Sequence, residues 1–135
     1  MTRGKVVLVP FPFDVLETQK ARPAICLTEP VTPHLHIVLA FVTSRQPDEL
    51  LDTDVVIDPQ DPDFAQTGLQ VRSTIRTHRL LTVASSLIKR EIGVLPSGIQ
   101  VRVTVALGRL FGIAKNETDD GKGEPDGTTK GGNNL

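Results

Sequence analysis

The apolar positions of this chain fall into short β-branched blocks separated by proline-rich and acidic spacers. Residues 5–9, KVVLV, are apolar without alternation after the lysine, the pattern of a strand covered on both faces. Pro10 and Pro12 cannot donate ladder bonds, so the PFPF stretch predicts an edge or exit segment, and residues 14–21, DVLETQKA, a polar loop. Arg22 and Pro23 close that loop before residues 24–27, AICL, return to an apolar strand. Two prolines within residues 29–33 predict a turn, and residues 36–44, HIVLAFVTS, the central strand. That run ends on two hydroxyls, Thr43 and Ser44, where hydroxyls commonly satisfy backbone groups. Residues 55–57 predict a short strand inside an acidic stretch, and residues 59–64, PQDPDF, a turn-rich connection.

Residues 71–78, VRSTIRTH, predict a further strand. In it Arg72, Thr74, Arg76 and His78 share one face, while Val71, Ser73, Ile75 and Thr77 share the other. Residues 80–83 continue extended, residues 85–90 suggest a single helical turn, and residues 93–95 open another segment. The last apolar stretch, residues 99–113, carries two periods: Ile99, Val101, Val103 and Val105 alternate like a strand, whereas Ile99, Val103, Ala106, Leu107 and Leu110 line a helix. Its length favours the helix, with Ser97 available as a cap. Residues 115–135 are glycine-rich and polar and predict a disordered tail after a single domain over residues 1–114.

A chain of 135 residues with 39% hydrophobic content supports one domain with a core and no staple. The one cysteine, Cys26, has no intrachain partner and lies between Ile25 and Leu27, which predicts a buried, unreactive thiol and fits a reducing cytoplasm. No apolar run is long enough to span a membrane, and the start lacks the pattern of a signal peptide, so a soluble intracellular protein is expected. His34 and His36 share a strand face without an evident third ligand, and no metal or other cofactor is expected.

The net charge of −1 hides a segregation along the chain. Positions 48–63 hold seven acids and no cation, whereas positions 72–109 hold seven cations and one acid, Glu91. The body is therefore dipolar rather than uniformly basic, which speaks against indiscriminate nucleic-acid binding. On the predicted strand over residues 71–78, two guanidinium groups, a hydroxyl and an imidazole stand on one face. That set combines cation, donor and titratable group, the needs of phosphodiester chemistry. The same row equally fits a solvated outer sheet face.

Five motifs in order, RGKVVLVPFPF, KARPAICL, a strand ending in VTS, TGLQVRSTIRTHRLLTV and SLIKREIGVL, resemble the MazF/PemK toxins of bacterial toxin–antitoxin pairs, over residues 3–113. The resemblance implies a mainly β fold, an SH3-like antiparallel barrel with a C-terminal helix, usually in a homodimer. It implies a metal-independent endoribonuclease that cuts single-stranded RNA and is silenced by a cognate antitoxin. The family's active-site arginine falls on Arg22, its hydroxyl residue on Thr43, and a further arginine of the PemK branch on Arg76. Ser44, Arg72, Thr74 and Arg79 are the expected RNA contacts around them.

Two acid/base positions of that branch differ here: the aspartate two residues after the second arginine is His78, and the loop over residues 14–21 has no histidine. Cleavage needs a base for the 2′-OH, a donor for the leaving oxygen and cations for the transition state. An imidazole can both take and give a proton, so His78 is the expected general base or acid, with Asp14 or Glu17 as the second group. Two other functions fit the resemblance: a degenerate relative that binds RNA or antitoxin without cutting, and a CcdB-like gyrase poison on the same fold.

Overall fold

The computed structural model describes residues 1–10 and 20–113. The proposed tail over residues 115–135, the boundary before it and most of the loop over residues 14–21 lie outside the described residues. The strands are β1 (Lys5–Pro10), β2 (Ala21–Cys26), β3 (His36–Thr43), β4 (Asp54–Ile57), β5 (Ser73–Ala84) and β6 (Arg90–Val94), followed by the helix α1 (Ser97–Phe111). They form one six-stranded sheet in the order β4-β5-β3-β2-β1-β6, with antiparallel neighbours throughout, curled into a half-barrel. The mainly β architecture with a terminal helix is the one expected.

The unalternating apolar runs belong to strands buried on both faces. Along β1, Val6, Val7 and Val9 are all buried, because a separate apolar cluster lies on each side of the sheet. On one side α1 lays Ile99, Val103 and Ala106 against Val6, Ile25, Val42 and Ile75. On the other, Val7, Val9, Ala24, Cys26, Leu39 and Val83 pack together. Cys26 is 1% exposed, and burial pushes its thiol up to about 11.

Several expectations require correction. β2 begins three residues early, at Ala21, and takes in Arg22 and Pro23. Proline is tolerated there because the ladder to β3 ends at Ala24, so its missing N–H forfeits no bond on that side. The helical turn covers only Ser85–Leu87, as a 3₁₀ segment, and Arg90 starts β6 instead. Residues 93–95 end that strand rather than opening a new one. Ser97 does not cap α1; Pro96 occupies the N-cap position and its carbonyl accepts the N–H groups of Ile99 and Gln100, each at 3.0 Å. The helix stops at Gly112, whose φ of 70° is the left-handed conformation that glycine takes without penalty.

The largest departure lies in β5. Its register to β3 jumps from Ala40↔Leu80 to Phe41↔Arg76, so residues 77–79 form an irregularity opposite one step of β3. The single-face row expected for Arg72, Thr74, Arg76 and His78 therefore does not exist. Thr74 and Arg76 share a face, His78 sits exposed in the irregularity, and Arg72 precedes the strand.

Candidate functional site

Residues opposite one another on neighbouring strands share a sheet face, so the registers give the layout of the site. One row runs Val7, Ala24, Phe41, Arg76 and Asp54 from β1 across to β4. In the next row Val9 opposes Arg22, and Thr43 opposes Thr74. Extending the β2–β3 register two residues beyond Ala24↔Phe41 sets Arg22 opposite Thr43. Arg22, Thr43 and Arg76 thus stand on one face in adjoining rows, about 7 Å apart along the strands.

These residues open into a cleft of about 1010 Å³. Five arginines line it, Arg22, Arg45, Arg76, Arg79 and Arg90, against one carboxylate among the described residues, Asp48. The segregated charge of the sequence is therefore concentrated here, in a concave site where low-dielectric walls strengthen an attraction to anions. Leu8, Pro23, Leu69 and Ile92 supply apolar wall. One side of the cleft is held against β6 by close backbone approach. Gly68, at φ 73°, and Gly93 leave no room for a Cβ, which would collide with the Ile92 carbonyl and with the backbone of Gln66 and Thr67 respectively.

The expected site residues divide into two groups. Arg22, Thr43, Ser44, Arg76 and Arg79 line the cleft; Arg72, Thr74 and His78 do not. Thr43 Oγ1 accepts the Arg45 N–H at 3.1 Å and closes the turn that follows β3. Its own proton faces the Arg45 carbonyl only at 3.5 Å, so the hydroxyl retains donor capacity. The Arg79 guanidinium lies over the Phe41 ring, 4.9 Å from its centre, in cation–π geometry. Arg76 donates through Nε to Asp54 Oδ1 at 2.9 Å, and the Asp54 side chain is fully buried. Arg72 instead forms an exposed pair with Asp58 at 3.0 Å. Thr74 is fully buried, and among the described residues its Oγ1 has no hydrogen-bond partner.

A sequence profile of the PemK-like, MazF-like toxins of type II toxin–antitoxin systems matches residues 2–111. The chain belongs to that family. Its fold is similar to the Mycobacterium tuberculosis toxin MazF-mt6, at 25% identity and a TM-score of 0.63, over 82% of this chain and 99% of that one. It is also similar to a mycobacterial endoribonuclease solved with its cognate antitoxin (14% identity, TM-score 0.65, 86% of this chain and 99% of that one). The MazE–MazF structure from Deinococcus radiodurans is a further match (17%, TM-score 0.60, 84% and 97%). None of the curated protein sequences compared matches the chain.

Against this MazF-like frame, sequence reasoning missed Asp54, Phe41, Arg45 and Arg90. Asp54 leads the apolar run of β4, and only the β4–β5 register shows that it faces Arg76. Arg90 was hidden by the helical reading of residues 85–90, and its place follows from its pairing with Leu8 in β1. Asp14 and Glu17, the expected partners in proton transfer, lie outside the described residues.

Proposed function

We propose that this MazF-like toxin is an endoribonuclease of single-stranded RNA, cutting by attack of a 2′-OH on the adjacent phosphorus. A P–O bond forms to the 2′ oxygen and the bond to the 5′ oxygen breaks, leaving a 2′,3′-cyclic phosphate and a 5′-OH. The observation that carries this reading is the convergence of Arg22, Thr43 and Arg76 from three strands on one arginine-lined cleft.

Two guanidinium groups can grip non-bridging phosphate oxygens with paired donors and offset the charge that builds on a pentacoordinate phosphorus. Neither is a natural base, because guanidinium stays protonated. The Thr43 hydroxyl orients a phosphate oxygen, and Ser44 and Arg79 contact the strand beside it. The arginines supply positive charge that other nucleases draw from a divalent ion, so cleavage persists in chelator. His78 is not assigned the proton transfer expected of it, since its exposed position on β5 is outside the cleft. The loop between Pro10 and Ala21, paired ends that stand next to Arg22, carries Asp14 and Glu17 and is the place to seek that group.

One observation favours the non-cutting relative as a second reading. Asp48 is the one carboxylate lining the cleft among the described residues, and no histidine lines it. Primer extension on a long mixed-sequence RNA separates the two. Discrete stops that weaken by about 10²–10³-fold in Arg22→Ala support the nuclease; binding without stops supports the relative that does not cut.

Partners follow from the same reading. A cognate antitoxin is the proposed protein partner, its acidic or apolar segment lying over the cleft, and the likeness to an endoribonuclease solved in complex with its cognate antitoxin supports such a partner. A homodimer is the proposed assembly, acting in the cytoplasm. No helix among the described residues is long and apolar enough to cross a membrane.

A further inference from the structure

Two residues after Arg76 in β5 stands His78, which does not line the cleft. The carboxylate that meets Arg76 comes from the adjacent strand. Asp54 is the direct cross-strand neighbour of Arg76, its Oδ1 accepts Nε at 2.9 Å, and its side chain is fully buried while that of Arg76 is 19% exposed. The other oxygen, Oδ2, accepts the Leu51 N–H at 2.8 Å, so the carboxylate cannot swing away without losing a second bond.

We infer that Asp54 is a positioning residue that fixes the guanidinium plane of Arg76 for phosphate, acting through Arg76 and never touching RNA. The inference rests on the phosphate-binding reading of the cleft. Nε occupies one of five donor hydrogens, and among the described residues the Nη groups take no protein acceptor. A bond through Nε leaves the Nη edge, with four hydrogens, to meet a ligand in the cleft. An arginine side chain that must be frozen on binding loses rotamer freedom at that moment; one already held has lost it in folding, and binding is tighter by the difference. Stability alone gives little reason for such a pair, because desolvation of two buried charges roughly cancels their attraction.

A bare counter-ion and a positioning residue give opposite signs. A counter-ion weakens the pull of Arg76 on phosphate, so Asp54→Asn would tighten RNA. A residue that orients Arg76 makes the same substitution loosen it. The experiment measures affinity for a mixed-sequence, single-stranded 2′-O-methyl RNA, which lacks the 2′ nucleophile, with wild type, Asp54→Asn, Arg76→Gln and the double variant. Asp54→Asn and Arg76→Gln are each expected to weaken binding about tenfold, the double variant no more than Arg76→Gln alone. Tighter or unchanged binding in Asp54→Asn, losses that multiply in the double variant, or no wild-type binding would overturn the inference.

Because Asp54 also closes the turn to Leu51, a thermal melt accompanies each variant. If Asp54→Asn does not fold, Asp54→Glu keeps the charge and displaces the carboxylate by one methylene; about tenfold weaker binding is again expected, and full affinity refutes the proposal. Cleavage of unmodified RNA by wild type is scored separately. Coupling without cleavage leaves the positioning role standing and removes the nuclease, whereas cleavage without coupling does the reverse.

Discussion

Thr74 invites a substitution whose sign is opposite to that expected from a strand facing RNA. Its side chain is fully buried in β5 between Thr43 and Val56, and Oγ1 has no partner among the described residues. A buried hydroxyl without a bond costs about 1–3 kcal/mol, the price of removing it from water. Thr74→Val keeps the branched shape and deletes that group, so it is expected to stabilise the fold by about 1–2 kcal/mol. For a domain of this size that raises the melting temperature by about 5–10 °C, read by circular dichroism. RNA affinity should be unchanged, because the hydroxyl is outside the cleft.

Thr77→Val is the matched control on the same strand. The Thr77 hydroxyl donates to the Thr53 carbonyl at 2.6 Å and is fully buried. Its removal strands that carbonyl and is expected to destabilise by about 1–3 kcal/mol. A lower melting temperature for Thr74→Val, or a loss of RNA affinity with it, would exclude an unbonded hydroxyl outside the RNA-binding face. The first would mean that Oγ1 is bonded, the second that Thr74 belongs to the interface.

Further outcomes follow from other parts of the molecule. Gly93→Ala drives a Cβ into the backbone of Gln66 and Thr67, where no flexible side chain can yield, and should destabilise by about 3 kcal/mol while distorting the cleft wall; a melt within 2 °C or so of wild type would contradict this. Cys26 should resist an aromatic disulfide reagent at pH 8 until the protein unfolds, because burial disfavours the thiolate. Since its pKa is raised from 9.0 to about 11 on folding, the unfolded chain ionises first. Its contribution to stability is complete below pH 9.0 and is lost as pH rises towards about 11, so Cys26→Ala should flatten the alkaline limb of a stability–pH curve; an unchanged limb would contradict that assignment.

The fold was legible where a single local signal governed the outcome. The β-branched run of β1 announced a strand buried on both faces and that of β3 a central strand, and the doubly periodic stretch after Pro96 became a helix because Ile99, Val103 and Ala106 fit against the sheet. The alternation rule failed in β5, where it assumes an unbroken ladder. Residues 77–79 break the register to β3, and no residue in RTHR signals where such a break falls. Arg22, Thr43 and Arg76 were nameable from motif resemblance. Their shared face, and the carboxylate of Asp54 behind Arg76, are properties of strand pairing between residues 22 and 76, which local sequence does not encode.

A phosphodiester cleaved by protein groups through attack of the 2′-OH leaves ends of a defined chemistry. The most direct measurement is the chemistry of the ends left when purified protein is incubated with mixed-sequence single-stranded RNA in excess EDTA, beside Arg22→Ala. Fragments are expected whose 5′ ends accept phosphate from polynucleotide kinase without prior phosphatase, whose 3′ ends carry a 2′,3′-cyclic phosphate, and which vanish in the variant. Intact RNA in EDTA, fragments bearing 5′-phosphate, or cleavage undiminished in Arg22→Ala would contradict that mechanism.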